Sequence, residues 1–238
     1  MDHGNGGHMN TNTAGRPHVI AFDVVETLYP LDPLETLIER AGLPRGLRRH
    51  WFDRLLRDGF AVAASGGYRS FRDLAIGALE DVSGLNGHRL SGAAAAEVVD
   101  GFATLDARPD AEPAMRRARE AGVRVVTLTN GAAATTRTLL ERSGLDAHVE
   151  RVISVEEAGR WKTAPQPYHH AAEVCGVARN RLALVAAHGW DVHGARAAGL
   201  VTGWSSHLED RFPRAFDAPD VTGDGLVEVV EGLLSLPD

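Results

Sequence analysis

The sequence predicts an α/β protein: a doubly wound parallel sheet with a helical subdomain inserted after its first strand. Three observations carry this expectation. Apolar runs rich in β-branched and aliphatic residues at 19–24, 124–129 and 182–187 suit strands covered on both faces. Amphipathic helical stretches lie between the later strands, so strand and helix alternate. From about 32 to 108 the alternation stops and only helical patterns occur.

Taken in order, residues 1–17 are rich in Gly, Asn and Thr and lack the hydrophobic core of a signal peptide, so they read as a disordered leader with incidental His3 and His8. Residues 18–31 open the core domain with the first strand. Residues 32–108 form the inserted helical cap, with helices in "PLETLIERAG", "LRRHWFDRLLRDGFAVAA", "SFRDLAIGALEDV" and "AAAAEVVDGFATL". Residues 109–238 complete the core, with helices expected at about 111–121, 132–143, 167–175 and 191–198. Three of these run into Gly122, Gly144 and Gly199, a stop signal because glycine adopts the left-handed conformation without a Cβ penalty. Weaker strands are expected at 151–157 and 200–206.

With 238 residues, 44% hydrophobic, the chain can bury the core of one large domain carrying an insertion. A net charge of -7 and dispersed arginines argue against nucleic acid as a partner. The lone cysteine, Cys175, excludes an intrachain disulfide and reads as a buried, inert helix residue. No apolar run approaches the roughly 20 residues of a membrane span. A cytoplasmic location, no membrane partner and no cofactor are the expectations.

The chemistry gathers at strand ends. The stretch "VIAFDVVETLYP" stops an apolar run on Asp23 and turns toward Thr27; Thr129-Asn130-Gly131 follow the second long strand, and His188 and Asp191 the third. Lys162 lies in the loop "GRWKTAPQPY". Singly, each has a plain reading: Asp23 and Asp191 as helix caps, Thr129-Asn130 as a turn, Lys162 as a solvated lysine. Together they converge on the edge where open α/β sheets bind ligands, with the insertion roofing it. Tyr29, Trp51, Phe60 and Trp190 either line an apolar pocket there or pack the joint between the two parts. The tandem His169-His170 diverges on a helix and is not expected to hold metal.

From residue 18 to about 208 the sequence resembles the haloacid dehalogenase (HAD) superfamily, and most closely its (S)-2-haloacid dehalogenase, or type II, branch. "FDVVETLYP" looks like the first motif, which implies Asp23 as nucleophile and Thr27 as its hydroxyl partner. "TLTNG" is similar to the second motif, with Thr129 and Asn130 in the functional positions. "WKTAPQPY" is similar to a segment of the branch that places the family lysine at Lys162 and its tyrosine at Tyr168. "VAAHGWDVHGARAAG" resembles the fourth motif, with Asp191 as its acid and His188 where the branch commonly has Asn.

The resemblance implies a HAD-like core under a helical cap. It also implies metal-free displacement of halide from a small 2-halo carboxylate, through an ester on Asp23 that water then hydrolyses. Lys162 would keep Asp23 ionised, Asp191 would pair with Lys162 or direct water, and His188 could handle the water's proton.

The departures are as informative as the matches. Val25 stands where the superfamily's phosphatases carry a proton-donating aspartate, and Ala187 near where they carry a metal-binding acid. Val25-Glu26 replaces the dehalogenases' Tyr-Gly, Ala186 their Ser, and Phe52 their halide-binding arginine, with Arg54 two residues away on another helix face. The competing readings are a Mg²⁺-dependent phosphatase and a non-catalytic binding protein of the same fold. Val25, Tyr29, Trp51, Tyr168, His188 and Trp190 are the candidate substrate-contacting residues, and the expected partners are a small carboxylate and, at most, a second copy of the chain as a homodimer.

Overall fold

Four fully buried residues, Val19–Phe22 (β1), occupy the centre of the molecule in the computed structural model, which describes residues 14–238. The first thirteen residues of the expected leader, His3 and His8 among them, lie outside the described residues. Beyond β1 come α1 (Leu34–Arg40), α2 (Leu47–Ala64), α3 (Phe71–Leu85), α4 (Gly92–Asp100), a 3₁₀ turn (Gly101–Thr104) and α5 (Ala111–Glu120). Strands and helices then alternate: β2 (Arg124–Thr129), α6 (Ala133–Ser143), β3 (Arg151–Ser154), α7 (Val155–Ala158), α8 (Pro165–Cys175), β4 (Leu182–Ala186), α9 (Gly189–Ala197) and β5 (Val201–Ser205). β6 (Val221–Gly223) and α10 (Leu226–Leu234) close the chain.

Among the described residues all six strands are parallel, in the order β3-β2-β1-β4-β5-β6. Phe22 at the end of β1 pairs with Thr127 on one side and Val185 on the other. Side chains alternate across the pleat: Ile20 and Phe22 join one apolar core with α5 and α10, while Val19 and Ala21 join a second with α8 and α9. Both sheet faces are therefore dry, which is why these strands read as unbroken aliphatic runs.

The helical block between β1 and β2 is closed by local chemistry. The hydroxyls of Ser70 and Ser91 cap α3 and α4 by accepting from the N–H groups of Asp73 and Ala94. Trp161 helps form the joint to the sheet domain: it is fully buried, stacks on Phe71 at 5.8 Å and donates its indole N–H to the Arg69 carbonyl at 2.8 Å. Gly59 of α2 faces that ring, and a Cβ there would come within 2.5 Å of it. Only glycine lets the helix approach so closely, and burying an indole of this size stabilises the joint by a few kcal/mol.

Three details differ from the sequence expectation. The strand expected at 151–157 ends at Ser154, whose hydroxyl takes the Glu156 N–H while Glu157 reaches back to its backbone; this capping box starts α7. Asp191 is not an N-cap: α9 begins at Gly189 after His188, which puts Asp191 inside the first turn. The sheet also gains β6, which is covered by α10 through Leu226, Val229, Val230 and Leu233. Among the described residues no helix is long and apolar enough to cross a membrane.

Candidate active site

β1 has β2 on one flank and β4 on the other, so the crossovers leave it in opposite directions and a crevice opens at its carboxyl end. Asp23 stands there. Its N–H still bonds the Val185 carbonyl at 3.0 Å, extending the strand's anchorage by one residue. Its Oδ1 accepts from Lys162 Nζ at 3.0 Å, and its Oδ2 accepts from the Thr27 hydroxyl at 2.7 Å. Thr27 Oγ1 is itself an acceptor for the Ala187 N–H at 3.0 Å, which leaves its own proton for Asp23.

Lys162 is fully buried between two carboxylates, with Asp191 Oδ2 at 2.8 Å on its other side. The Tyr168 hydroxyl donates to Asp191 Oδ1 at 2.7 Å, and Asn130 Oδ1 holds the Lys162 backbone N–H at 3.0 Å. Thr129 is buried too, but its hydroxyl accepts the Gly131 N–H at 2.9 Å and so shapes the loop after β2. Asp23, Thr27, Lys162, Tyr168 and Asp191 thus form one hydrogen-bonded chain; Asn130 and Thr129 buttress its backbone.

Electrostatics separate the two carboxylates. Burial pushes the Asp23 carboxyl up, but the Lys162 ammonium and the hydrogen bonds from His188 and Thr27 outweigh it and hold the group well below the usual carboxylate range. Asp191 goes the other way, raised by burial and by the charge of Asp23 against the pull of Lys162. For Lys162, burial opposes the charge, yet Asp191 and Asp23 raise its pKa, so the ammonium persists. Tyr168 is pushed far up by burial and by Asp191 and remains a neutral donor.

A second set of residues meets Asp23 from the opposite side. His188 Nδ1 lies 3.3 Å from Asp23 Oδ2, and its Nε2 lies 3.0 Å from Glu26 Oε2. Glu26 has φ 63°, its carbonyl faces His207 Nε2 at 3.1 Å, and its carboxylate is 3.5 Å from Arg48. A cavity of about 570 Å³ opens beside this set, bordered by Glu26, Arg48, Phe52, Arg108, His188 and Trp190. Trp190 packs against His188 at 5.1 Å and Phe60 at 5.0 Å, and its buried indole N–H has no protein acceptor among the described residues. Val25 faces a smaller apolar hollow of about 130 Å³, shared with Phe71, Phe102, Thr129 and Leu139.

Of the candidate substrate-contacting residues, Tyr168 borders none of the described cavities, because it is fully buried with its hydroxyl on Asp191, and two more turn away from the crevice altogether. Tyr29 is fully buried and its hydroxyl pairs with Ser143 Oγ at 2.8 Å; Trp51 is fully buried, packs on Phe102 and donates to the Ala75 carbonyl at 2.8 Å. Both are packing residues, because their polar ends are satisfied away from Asp23. Arg54 also turns away, toward Asp58 and Asp81. Glu26, Arg48 and His207 were not singled out from sequence. Arg48 is buried among Glu26, Asp32 and Glu35. Glu26 carried one signal: it is an acid between the first-motif aspartate and threonine.

Comparison with known proteins gives a consistent picture. A family model described as a haloacid dehalogenase-like hydrolase matches residues 17–199. The haloacetate dehalogenase H-2 of Moraxella sp. (strain B) is 27% identical over 219 residues, covering 91% of this chain and 96% of that protein. An (S)-2-haloacid dehalogenase of Xanthobacter autotrophicus is 28% identical over 183 residues, covering 76% and 72%. Among solved structures, one L-2-haloacid dehalogenase superposes with a TM-score of 0.86 at 25% identity, covering 92% of this chain and 99% of its own. The Xanthobacter autotrophicus enzyme with chloropropionic acid covalently bound shares the fold, with a TM-score of 0.84 at 23% identity over 90% and 97%.

Proposed function

The chain belongs to the haloacid dehalogenase-like hydrolases, and on that premise we propose that it hydrolyses the carbon–halogen bond of a small 2-halo carboxylic acid through an ester on Asp23. The observation that carries this reading is the state of Asp23: a carboxylate kept ionised by a buried lysine 3.0 Å away and oriented by Thr27, with Val25 two residues on. Such a group is a nucleophile. It attacks the halogen-bearing carbon, the carbon–halogen bond breaks, and the pair of electrons leaves with the halide, which needs no proton. Valine at 25 is then no defect.

Lys162 keeps the attacking group ionised, and Asp191 and Tyr168 fix the lysine. The backbone around Thr129, Asn130 and Gly131, with the apolar walls offered by Val25, Phe52 and Trp190, orients the acid. Water then attacks the ester carbonyl, releasing the hydroxy acid and restoring Asp23.

Phosphate-ester hydrolysis fits less well. An alkoxide leaving group needs a proton that Val25 cannot give. A divalent cation between Asp23 and Asp191 would compete with Lys162, which bridges them at 3.0 and 2.8 Å. A binding role without catalysis leaves unexplained why a lysine and two carboxylates are buried together at such desolvation cost. In the proposed reading the partner is a small carboxylate, the protein works in the cytoplasm, and a homodimer is compatible.

The test is halide release from a panel of (S)- and (R)-2-halo acids and chloroacetate, in EDTA and then in added Mg²⁺, with Asp23→Asn as the blank. Release that ignores both additions and is lost in Asp23→Asn is expected. One turnover in ¹⁸O-water should place the label in the Asp23 carboxylate; label found only in the product would sink the ester route.

A further inference from the structure

The second half of this reaction needs a base. Asp191 is poorly placed for it: Lys162 occupies Oδ2, Tyr168 occupies Oδ1, and solvent reaches neither. His188 stands differently. Its ring borders the larger cavity, with one nitrogen 3.3 Å from the nucleophile and the other 3.0 Å from Glu26. Glu26 is aimed there by a left-handed backbone, φ 63°, that costs a non-glycine residue about 1 kcal/mol or more. Its N–H to the Tyr29 carbonyl at 2.9 Å and its carbonyl to His207 at 3.1 Å maintain that conformation.

We infer that Glu26 and His188 form a proton-transfer pair that acts only after Asp23 has been esterified. The assignment rests on the ester proposed above. Nδ1 of His188 takes a proton from the water that attacks the Asp23 carbonyl carbon, while Glu26 holds the Nε2 proton and stabilises the imidazolium. The tetrahedral adduct collapses by breaking the bond between that carbon and the substrate oxygen. The departing alkoxide takes the proton from Nδ1 and leaves as the hydroxy acid. Asp23, left protonated, passes its proton to His188, and the starting ion pair is restored.

The surrounding charges explain the timing. In the resting site His188 faces the carboxylates of Asp23 and Glu26, with Glu209 a further acid nearby; His207, Arg48 and Arg108 are the basic groups on that side, and Lys162 lies beyond Asp23. Phe52 and Trp190 cover the ring with apolar surface. Burial works against protonation, but the hydrogen bonds to Asp23 and Glu26 and their charges raise the His188 pKa to about 10. The ring is therefore charged while Asp23 is charged. Forming the ester removes that charge and its hydrogen bond, so the imidazolium gives a proton to solvent and becomes a base when there is an ester to hydrolyse.

The experiment is rapid quench of the wild type, His188→Gln and Glu26→Gln with whichever acid of the panel is turned over fastest, following halide, product and the mass of the Asp23 peptide. In His188→Gln the first equivalent of halide should appear within about threefold of the wild-type rate, while ester hydrolysis slows by about 100-fold or more and the adduct accumulates on Asp23. In Glu26→Gln hydrolysis should slow by about tenfold. Its rise with pH should also move to lower pH, since losing the carboxylate lowers the pKa of the ring in the ester state. Equal losses in both steps, unchanged hydrolysis in His188→Gln, or an unmoved profile in Glu26→Gln would each overturn the pairing. A wild type that releases no halide and never carries the adduct would instead remove the ester and this assignment with it.

Discussion

The two flanks of Asp23 are built from similar groups and behave oppositely. On the lysine side, Lys162, Asp191 and Tyr168 are fully buried, each polar atom is matched at 2.7 to 3.0 Å, and no cavity among those described is lined by them. On the histidine side, His188, Glu26 and Arg48 border about 570 Å³ of open space and share longer contacts of 3.0 to 3.5 Å. The closed flank fixes a charge. The open flank can exchange protons and small molecules, which a two-step reaction needs on one face of its nucleophile only.

Removing the cation from the closed flank should have the largest effect. Lys162→Met takes the ammonium from between two buried carboxylates, leaving Asp191 with no cation and Asp23 with only the His188 imidazolium, and should cost about 3–5 kcal/mol in urea unfolding. A loss below 1 kcal/mol would mean that water already screens this flank and that the contrast is overdrawn.

The flanks should also own opposite limbs of the pH–stability curve. Asp23 is depressed from its ordinary 3.8, so its contribution is present above that value and is lost as pH falls through its lower folded value. His188 is raised from 6.5 to about 10, so its contribution is full below 6.5 and is lost as pH rises toward 10. The wild type should therefore lose up to about 1.4 kcal/mol per pH unit across that alkaline window. His188→Gln should flatten this limb and keep the acid one; thermal melts from about pH 2 to pH 10 would decide it.

Smaller effects sharpen the contrast. Tyr168→Phe removes one donor from a buried carboxylate and should cost about 1–3 kcal/mol of stability. Arg48→Gln on the open flank should cost about 1 kcal/mol, because Glu26 keeps His188 and the Asp32 partner is mostly exposed. If the arginine variant proved the more damaging by chemical denaturation, the assignment of structural and reactive flanks would be reversed.

How much of this could be read beforehand follows the same division. The closed flank was legible, because Asp23 and Thr27 follow β1, Asp191 follows β4, and Lys162 and Tyr168 share the short motif that leads into α8. The open flank was less so. His188 stood out, but Glu26 depends on a backbone angle and Arg48 on how α2 lies over the crevice, and neither is local information. Tyr29 and Trp51 misled for the complementary reason: proximity in sequence to the first motif or to the cap says nothing about which way a ring turns. In the fold, β1, β2 and β4 declared themselves as aliphatic runs, whereas β6 has only three residues, two of them not buried. The apolar spacing of 226, 229, 230 and 233 was a usable sign of α10.

The contact of Gly59 with Trp161 bears on how such a protein can change over time. Trp161 is the chain neighbour of Lys162, so the helical block grips the segment that supplies the nucleophile's counter-ion. A side chain at 59 would shift the indole and, through one peptide unit, the ammonium. The block is therefore not an interchangeable module: a lineage that exchanged it for another, in search of new substrates, would have to inherit the glycine seat along with it or rebuild the lysine loop.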